Sequence, residues 1–306
     1  MITTIVRGTV ALIVSILSAA PVLAAPDWSI PDGVKTVEVN GYPLAYIEAG
    51  TGTPIVIIHG AWVDHRLFKA QVAEFSKSYR AIAVSLRHYY PEIWDGKGGN
   101  FTFAQQASDV SALIRQLNLG KVHLLGHSRG GAVAIGVAQQ TPELLRTLIL
   151  EEPAGLEPLL ADKSVAVARV EGAKRLAAYL RTSLDAGEER SAVAQKGWEA
   201  ANGSGTWDRM PAGPRQMISD NIGTMAAATP YEALPIGCED IRKFAFPVLF
   251  LQGESTAKIY GDMIAAARQC KPDITPAIVV PQARHNMHMD NPSFFNNAVL
   301  EFVKQN

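Results

Sequence analysis

The stretch Gly-His-Ser-Arg-Gly at positions 126–130 constrains this chain more than any other feature. An apolar run at 122–125 precedes it and a run of small residues at 131–138 follows it. Strand, sharp turn and helix form the context in which a G-x-S-x-G pattern presents its serine at the tip of the turn. Glycines at 126 and 130 carry no side chain to obstruct that turn. The pattern predicts an exposed Ser128 near the positive end of a helix.

Short motifs of this kind also arise by chance, so the rest of the chain has to support this interpretation. Strands are predicted at 36–39, 44–48, 54–58, 80–84, 122–125, 147–150, 247–251 and 277–280. Asn40 and Gly41 lie between the first two strands and give a strong hairpin signal. Helical stretches separate most of the later strands, which is typical of a parallel sheet with helices on both faces. The predicted fold class is therefore α/β, with a mostly parallel eight-stranded sheet and an antiparallel edge.

One region breaks this alternation. Residues 153–240 contain no apolar strand and have helix-like stretches at 164–180, 191–201 and 216–228. We expect residues 25–152 and 241–306 to form the core domain, with 153–240 inserted as a helical cap after the sixth strand.

The first 24 residues have a different character. Arg7 is the only charge before Asp27, and an apolar centre ends in small residues at Ala24. This pattern predicts a signal peptide cleaved after Ala24, and hence a periplasmic or secreted protein. The alternative is an uncleaved anchor, but the apolar centre is short for a membrane span. The formal net charge of −1 and the absence of a basic block argue against nucleic acid as a partner.

Export leads to an oxidising compartment, where cysteines pair. Cys270 lies at the end of a predicted helix after the seventh strand, and Cys238 lies shortly before that strand. A helix that returns antiparallel to the strand brings the two together. A Cys238–Cys270 disulfide is a reasonable prediction, with two buried free thiols as the alternative.

Three motifs occur in register with the predicted strands: His-Gly-Ala-Trp at 59–62 after the third, Gly-His-Ser-Arg-Gly at 126–130 after the fifth, and Ala-Arg-His at 283–285 after the eighth. In this combination and order the chain resembles the α/β-hydrolase superfamily with a helical cap, from about residue 34 to residue 303. The resemblance implies Ser128 as nucleophile and His285 as general base. It also implies an oxyanion hole formed by the backbone N–H groups of Ala61 and Arg129.

The acid of the catalytic triad departs from the common pattern. Members of the superfamily usually carry an aspartate three positions after the glycine that ends the seventh strand, and here Thr256 stands there. Some members carry the acid after the sixth strand, which favours Glu152. Glu254 is the alternative, and Asp262 and Asp290 are more remote choices.

Glu151 and His288 lie close in the chain to Glu152 and His285, and for both we expect a structural role. Side chains of adjacent residues at a strand end point in opposite directions, and joint burial of two carboxylates is costly. We therefore expect Glu151, unlike Glu152, to be solvated or to cap a backbone group. His288 lies one helical turn after His285, and we expect it to pack or to face solvent.

The substrate pocket is expected between sheet and cap, and the bulky loop at 85–90 favours a small to medium apolar substrate. No cluster has the spacing of a metal site, and the 126–131 loop lacks a Walker lysine, so no metal or cofactor is predicted. The candidate lining residues are Trp62, Tyr89, Trp94, Phe101, Trp198, Trp207, Met210 and Met217.

These observations together predict an exported serine hydrolase that cleaves a carboxylic ester or lactone through an acyl-enzyme. A carbon–carbon bond hydrolase and a cofactor-free dioxygenase keep the same Ser-His pair and stay open as alternatives. A non-enzymatic ligand-binding receptor on the same scaffold is a further alternative, since a fold does not fix a function.

Overall fold

The computed structural model describes residues 28–227 and 236–306, so the predicted signal peptide lies outside the described residues. The strands are β1 Lys35–Val39, β2 Tyr42–Ala49, β3 Pro54–Ile58, β4 Arg80–Val84, β5 Val122–His127, β6 Leu145–Glu151, β7 Val248–Gly253 and β8 Ile278–Val280. They form one sheet in the order β1-β2-β4-β3-β5-β6-β7-β8. The pairs β1–β2 and β2–β4 are antiparallel and the remaining pairs are parallel. The predicted mostly parallel, eight-stranded sheet is confirmed.

Helices cover both faces of this sheet. The α-helices are α1 Lys69–Phe75, α2 Phe103–Gln116, α3 Arg129–Gln140, α4 Lys163–Asp185, α5 Arg190–Asn202, α6 Ala212–Asp220, α7 Ile222–Ala227, α8 Cys238–Arg242, α9 Lys258–Cys270, α10 Met287–Asp290 and α11 Pro292–Gln305. Helices α2, α3 and α9 contribute to the core on one face, and α1 and α11 contribute to the core on the other. No helix in 28–227 or 236–306 is long and apolar enough to cross a membrane.

Strand β3 shows how the sequence produces this layering. All five of its residues are buried, as a continuous apolar run predicts for a strand covered on both faces. Successive side chains of a strand point to opposite faces. Val56 and Ile58 accordingly belong to the core with α2 and α3, whereas Ile55 and Ile57 belong to the core with α1 and α11.

The segment between β6 and β7 is helical in its described part, with α4 to α7 in sequence. These helices form a small core of their own, with Leu180 and Val193 among its buried members. Residues 228–235 of the predicted cap lie outside the described residues, and the boundaries 153–240 stay a prediction.

The disulfide joins Cys238, the first residue of α8, to Cys270, the last residue of α9. Their Cα atoms lie 4.9 Å apart. Strand β7 lies between these two helices in the chain, so the bond closes a loop around it, as the sequence predicted.

Candidate active site

Ser128 occupies the turn between β5 and α3 in a backbone conformation that is costly for a residue with a side chain. Its φ is 50° and its ψ is −114°. Backbone hydrogen bonds hold this turn. The Ser128 N–H donates to Glu151 O, and the Ser128 carbonyl accepts from Gly131 and Ala154, each at 2.9 Å. The surrounding elements therefore sustain the strained serine.

The glycines of the turn are required by close backbone approach. A Cβ on Gly126 would lie 2.4 Å from the carbonyl oxygen of Gly130, and a Cβ on Gly130 would lie 2.4 Å from that of Ile58. Gly60, in the loop after β3, is also constrained, because a Cβ there would lie 2.8 Å from Nδ1 of His127 and 3.3 Å from Cβ of Ser128. The loop after β3 thus reaches the serine only because it carries glycine at this point.

Glu152 holds His285 from inside the protein. The His285 Nδ1–H donates to Oε2 of Glu152 at 2.6 Å, and the side chain of Glu152 is fully buried. Two further donors engage the same carboxylate, namely the N–H of Gly253 and the hydroxyl of Thr256, both at 2.8 Å. Thr256, which stands where the superfamily usually has its acid, thus hydrogen-bonds to the carboxylate that reaches the histidine.

The other candidate acids have different partners. Glu254 is exposed, and its Oε2 accepts from the N–H of Gln282 at 2.8 Å. Asp262 pairs with Lys258 on α9, and Asp290 accepts from a backbone N–H at 2.8 Å. The geometry therefore favours Glu152 among the alternatives that the sequence left open.

Ala61 and Arg129, the predicted oxyanion-hole residues, lie with Ser128 in the wall of one cavity. Arg129 opens α3, where the first N–H groups have no acceptor within the helix. His59 braces the loop of Ala61: its Nε2 accepts from the N–H of Leu86 at 3.0 Å, and its Nδ1–H donates to the next carbonyl at 2.7 Å. Burial lowers the pKa of His59 to about 4, so this brace stays neutral.

The cavity at Ser128 has a volume of about 80 Å³. Its wall consists of Ala61, Tyr89, Phe103, Ser128, Arg129, Ala173, Leu176, Ala177, Thr224 and Met225.

Of the eight predicted lining residues, Tyr89 lies in this wall and the other seven lie elsewhere. Large apolar side chains at these positions fill helix–helix and helix–sheet contacts. In the small core of the insert or packed against it are Trp62, Trp198, Trp207 and Met210. In the main core are Trp94 and Phe101, and Met217 is buried on α6.

The adjacent residue, Glu151, also holds a histidine. Of the two expectations for it, the solvated carboxylate is wrong, whereas the contact with a backbone N–H is present. Glu151 and Glu152 are both fully buried. Oε1 of Glu151 lies 2.7 Å from Nδ1 of His288 and accepts the backbone N–H of His288 at 3.2 Å. Burial raises the pKa of Glu151 to about 7 and lowers that of His288 to about 3, so the two shifts favour a neutral pair.

His127 completes a buried cluster with this pair. Its Nε2–H donates to the carbonyl of His285 at 3.1 Å, and this bond links the end of β5, next to Ser128, to the loop that carries His285. The donor atoms of His127, Glu151 and His288 lie within 4.8 Å of one another, a donor set that can hold a metal ion. The three residues come from separate segments, so their spacing along the chain gave no signal of such a cluster.

The sequence did not predict Tyr260 at the site, nor any role for the side chain of Arg129 beyond its backbone N–H. The ring of Tyr260 stacks on His285 with centroids 4.5 Å apart, and its hydroxyl lies 3.5 Å from Nε2. The side chain of Arg129 lies between Phe101 and Phe103, with its guanidinium carbon 4.5 and 4.4 Å from the two ring centroids. Nothing in the helical pattern of α9 distinguished Tyr260. The charge of Arg129 inside the turn at 126–130, by contrast, was a signal that its side chain has a role at the site.

Comparison with known proteins identifies the family of this chain. The model of the alpha/beta hydrolase family matches residues 55–298. This chain belongs to the alpha/beta hydrolase family. The resemblance inferred from the three motifs is thereby confirmed.

Similar proteins of this family are hydrolases. The chain is 25% identical over 280 residues to the 2-(acetamidomethylene)succinate hydrolase of Mesorhizobium japonicum, covering 88% of this chain and 94% of that protein. It is 24% identical over 288 residues to a 2-hydroxy-6-oxo-6-(2'-aminophenyl)hexa-2,4-dienoic acid hydrolase of Metapseudomonas resinovorans, covering 89% and 91%. The structure of a thermophilic esterase from Thermogutta terrifontis with malate bound superposes with a TM-score of 0.65 at 23% identity, covering 89% of this chain and 97% of that one. Family and relatives support a hydrolase.

Proposed function

We propose that this chain is an exported serine hydrolase that cleaves a carboxylic ester or lactone through an acyl-enzyme. The observation that carries the proposal is the buried Glu152 carboxylate on Nδ1 of His285, 2.6 Å away, beside the strained turn of Ser128. A serine is a weak nucleophile until a base removes its proton, and an oriented histidine is such a base.

In the proposed reaction, Oγ of Ser128 attacks the ester carbonyl while Nε2 of His285 takes the serine proton. The N–H groups of Ala61 and Arg129 stabilise the oxyanion that forms. His285 then gives its proton to the departing alcohol, which leaves an acyl group on Ser128. Water, deprotonated by His285, releases the acid and restores the serine.

Glu152 has the role of positioning and charge stabilisation. Its carboxylate fixes the tautomer in which Nε2 of His285 is free to accept a proton, and it stabilises the imidazolium that follows. The hydrogen bonds from Gly253 and Thr256 hold both carboxylate oxygens in place. A glutamate directly after β6 thereby takes the role that an aspartate after β7 has elsewhere in the superfamily.

Export is supported by two independent features. One is the predicted signal peptide, and the other is the Cys238–Cys270 disulfide, a bond that persists in oxidising compartments. The similarity to the dienoic acid hydrolase of Metapseudomonas resinovorans favours a carbon–carbon bond hydrolase as the second candidate.

A fluorophosphonate probe tests the nucleophile. We expect one adduct, on the peptide that contains Ser128, and turnover of p-nitrophenyl acetate and butyrate; the Ser128→Ala variant should lose both. A protein with neither adduct nor ester turnover would contradict the proposal. Turnover of a 2-hydroxy-6-oxohexa-2,4-dienoate without ester turnover would instead support the second candidate.

A further inference from the structure

Arg129 differs from most of the buried and half-buried arginines in its electrostatic partners. Arg87 forms an ion pair with Asp109 at 2.8 Å, and Arg66 forms one with Asp64 at 2.7 Å. Arg129, although half-buried, forms no ion pair with any carboxylate in residues 28–227 and 236–306. Arg190, which also lacks an ion pair, instead donates to three backbone carbonyls. Arg129 donates to a single acceptor among the described residues, and burial of a cation is unfavourable without further acceptors or a negative charge, which a ligand can supply.

The guanidinium of Arg129 lies among two aromatic rings and one amide side chain. The rings of Phe101 and Phe103 lie within 4.5 Å of its guanidinium carbon. At the edge, one amino group of Arg129 donates to Oε1 of Gln106 at 3.1 Å. Nε of Arg129 and Nε2 of Gln106 are buried donors without a hydrogen-bond partner among the described residues. Two neighbouring donors therefore lack an acceptor.

The chemical group that satisfies such donors is a carboxylate. It is planar, carries two acceptor oxygens and matches the fork of a guanidinium. The positive end of α3, which begins at Arg129, adds a favourable field for an anion. Arg129 lines the same cavity as Ser128, so a carboxylate bound there belongs to the molecule under attack.

The cavity also limits the size of this molecule. Its volume of about 80 Å³ corresponds to a few water molecules, at roughly 30 Å³ each. This volume suits a short chain between carboxylate and reacting carbonyl better than a long apolar tail.

We propose that the guanidinium of Arg129 binds a carboxylate of the substrate, so that this hydrolase prefers small anionic esters. The ester part of this statement rests on the proposed function, whereas the carboxylate part does not. It replaces the apolar substrate expected from the sequence with a charged one. Arg129 then has two roles: its backbone N–H faces the oxyanion, and its side chain selects the substrate.

Monomethyl succinate and methyl butyrate form a matched pair of probes, because one carries a carboxylate and the other a methyl group. The readout is the ratio of kcat/KM for the two esters, which cancels any general effect of a substitution on catalysis. We expect Arg129→Gln to lower this ratio about 10- to 100-fold, as the loss of a charge-assisted hydrogen bond predicts, and Arg129→Lys to lower it less. Arg181→Gln removes the same charge from an arginine paired with Asp185 and should leave the ratio unchanged.

Binding of succinate separates this inference from the proposed function. In Ser128→Ala protein, which has no nucleophile, succinate is expected to raise Tm, and the added Arg129→Gln change should abolish the shift. Such binding without ester turnover by the wild type would refute the serine esterase and keep the carboxylate site. Ester turnover with a ratio that Arg129→Gln leaves unchanged, or lowers no more than Arg181→Gln does, would overturn the carboxylate site and keep the esterase.

Discussion

Two glutamates that are neighbours in the chain hold two histidines that are three residues apart, and the two pairs behave differently. The side chain of His285 is 31% exposed, whereas that of His288 is fully buried. Glu152 accepts hydrogen bonds from Gly253, Thr256 and His285.

Glu151 has fewer hydrogen-bond donors around its carboxylate. Among the described residues, its Oε1 is hydrogen-bonded to His288 and its Oε2 has no partner. Hydrogen-bond donors stabilise a carboxylate, and burial without them neutralises it. The difference teaches that the number of donors, more than burial itself, decides which pair can serve a reaction that develops charge.

The largest effect is expected on kcat, when the same Glu→Gln substitution is made at each of the two glutamates. Glu152→Gln removes the charge that stabilises the His285 imidazolium and should lower kcat for p-nitrophenyl acetate by about 10³- to 10⁴-fold. Glu151→Gln replaces a neutral acid with an amide of the same shape, whose oxygen can still accept from His288. We expect its kcat to stay within about threefold of the wild type.

Steady-state kinetics at pH 6, below the pKa of about 7 at which Glu151 ionises, make this comparison on both variants, with Tm values to establish folding. Equal losses of kcat in the two folded variants would show that the pairs act as one unit. A loss confined to Glu151→Gln would show that the roles assigned to the two glutamates are reversed.

The next-largest effect concerns stability. Here the pair that matters less for turnover, Glu151 with His288, should matter more. His288→Ala removes a buried ring that stacks on Phe68 and leaves Glu151 without its partner. The free energy of unfolding should fall by about 2–4 kcal/mol. His285→Ala, at a partly exposed position, should cost about 1 kcal/mol or less while it abolishes turnover.

Urea unfolding of the two alanine variants provides the test. His288→Asn keeps an N–H donor near the position of Nδ1 and is expected to recover part of the loss. The distinction between a structural and a reactive histidine fails if His285→Ala proves as destabilising as His288→Ala.

The pH dependence of stability distinguishes the pairs more finely. The pKa of Glu151 is raised from 4.5 to about 7, so its favourable contribution is complete below pH 4.5 and is lost as the pH rises to about 7. Glu151→Gln does not titrate and should gain stability relative to the wild type over this interval, by about 1–3 kcal/mol.

His127 and His288 make stability depend on pH in the opposite direction. Their pKa values are lowered from 6.5 to about 3 by burial, so the stability they contribute is lost as the pH falls below 6.5. Both proteins contain these histidines, and their contribution largely cancels in the difference. Unfolding free energies between pH 4.5 and 8 that run parallel for wild type and Glu151→Gln would rule out a neutral Glu151.

The smallest expected effect is at Thr256. Thr256→Val removes the hydroxyl that donates to Oε2 of Glu152 and should lower kcat about 3- to 10-fold with little change in Tm. Thr256→Ser keeps the hydroxyl and should retain most of the activity. If the serine and valine variants have equal kcat, the hydroxyl has no part in supporting the acid.

The sequence was sufficient for the parts of the molecule that depend on local pattern. Alternating apolar runs predicted the eight strands, and the place of Glu152 after the sixth strand made it the favoured acid. The two glycines of the motif at 126–130 predicted a turn with close backbone contacts, and Gly126 and Gly130 do make such contacts.

The parts that escaped prediction depend on side chains from distant segments. Glu151 was expected to be solvated or to cap a backbone group. It is buried instead of solvated, because its carboxylate contacts His288 of α10, 137 positions away in the chain. Most of the predicted pocket aromatics instead pack in the cores, because a periodic pattern of large apolar residues does not distinguish a core from a pocket wall.

The bond between Cys238 and Cys270 has a consequence for the unfolded chain as well as for the native one. It closes a ring with a sequence separation of 32 residues, and that ring contains Gly253 and Thr256, the two groups that grip Glu152. Restricting a loop of this length removes chain entropy worth roughly 3–4 kcal/mol from the unfolded ensemble. The part of the active-site network that lies on β7 and its following turn thus belongs to a loop that stays covalently closed even when the chain unfolds.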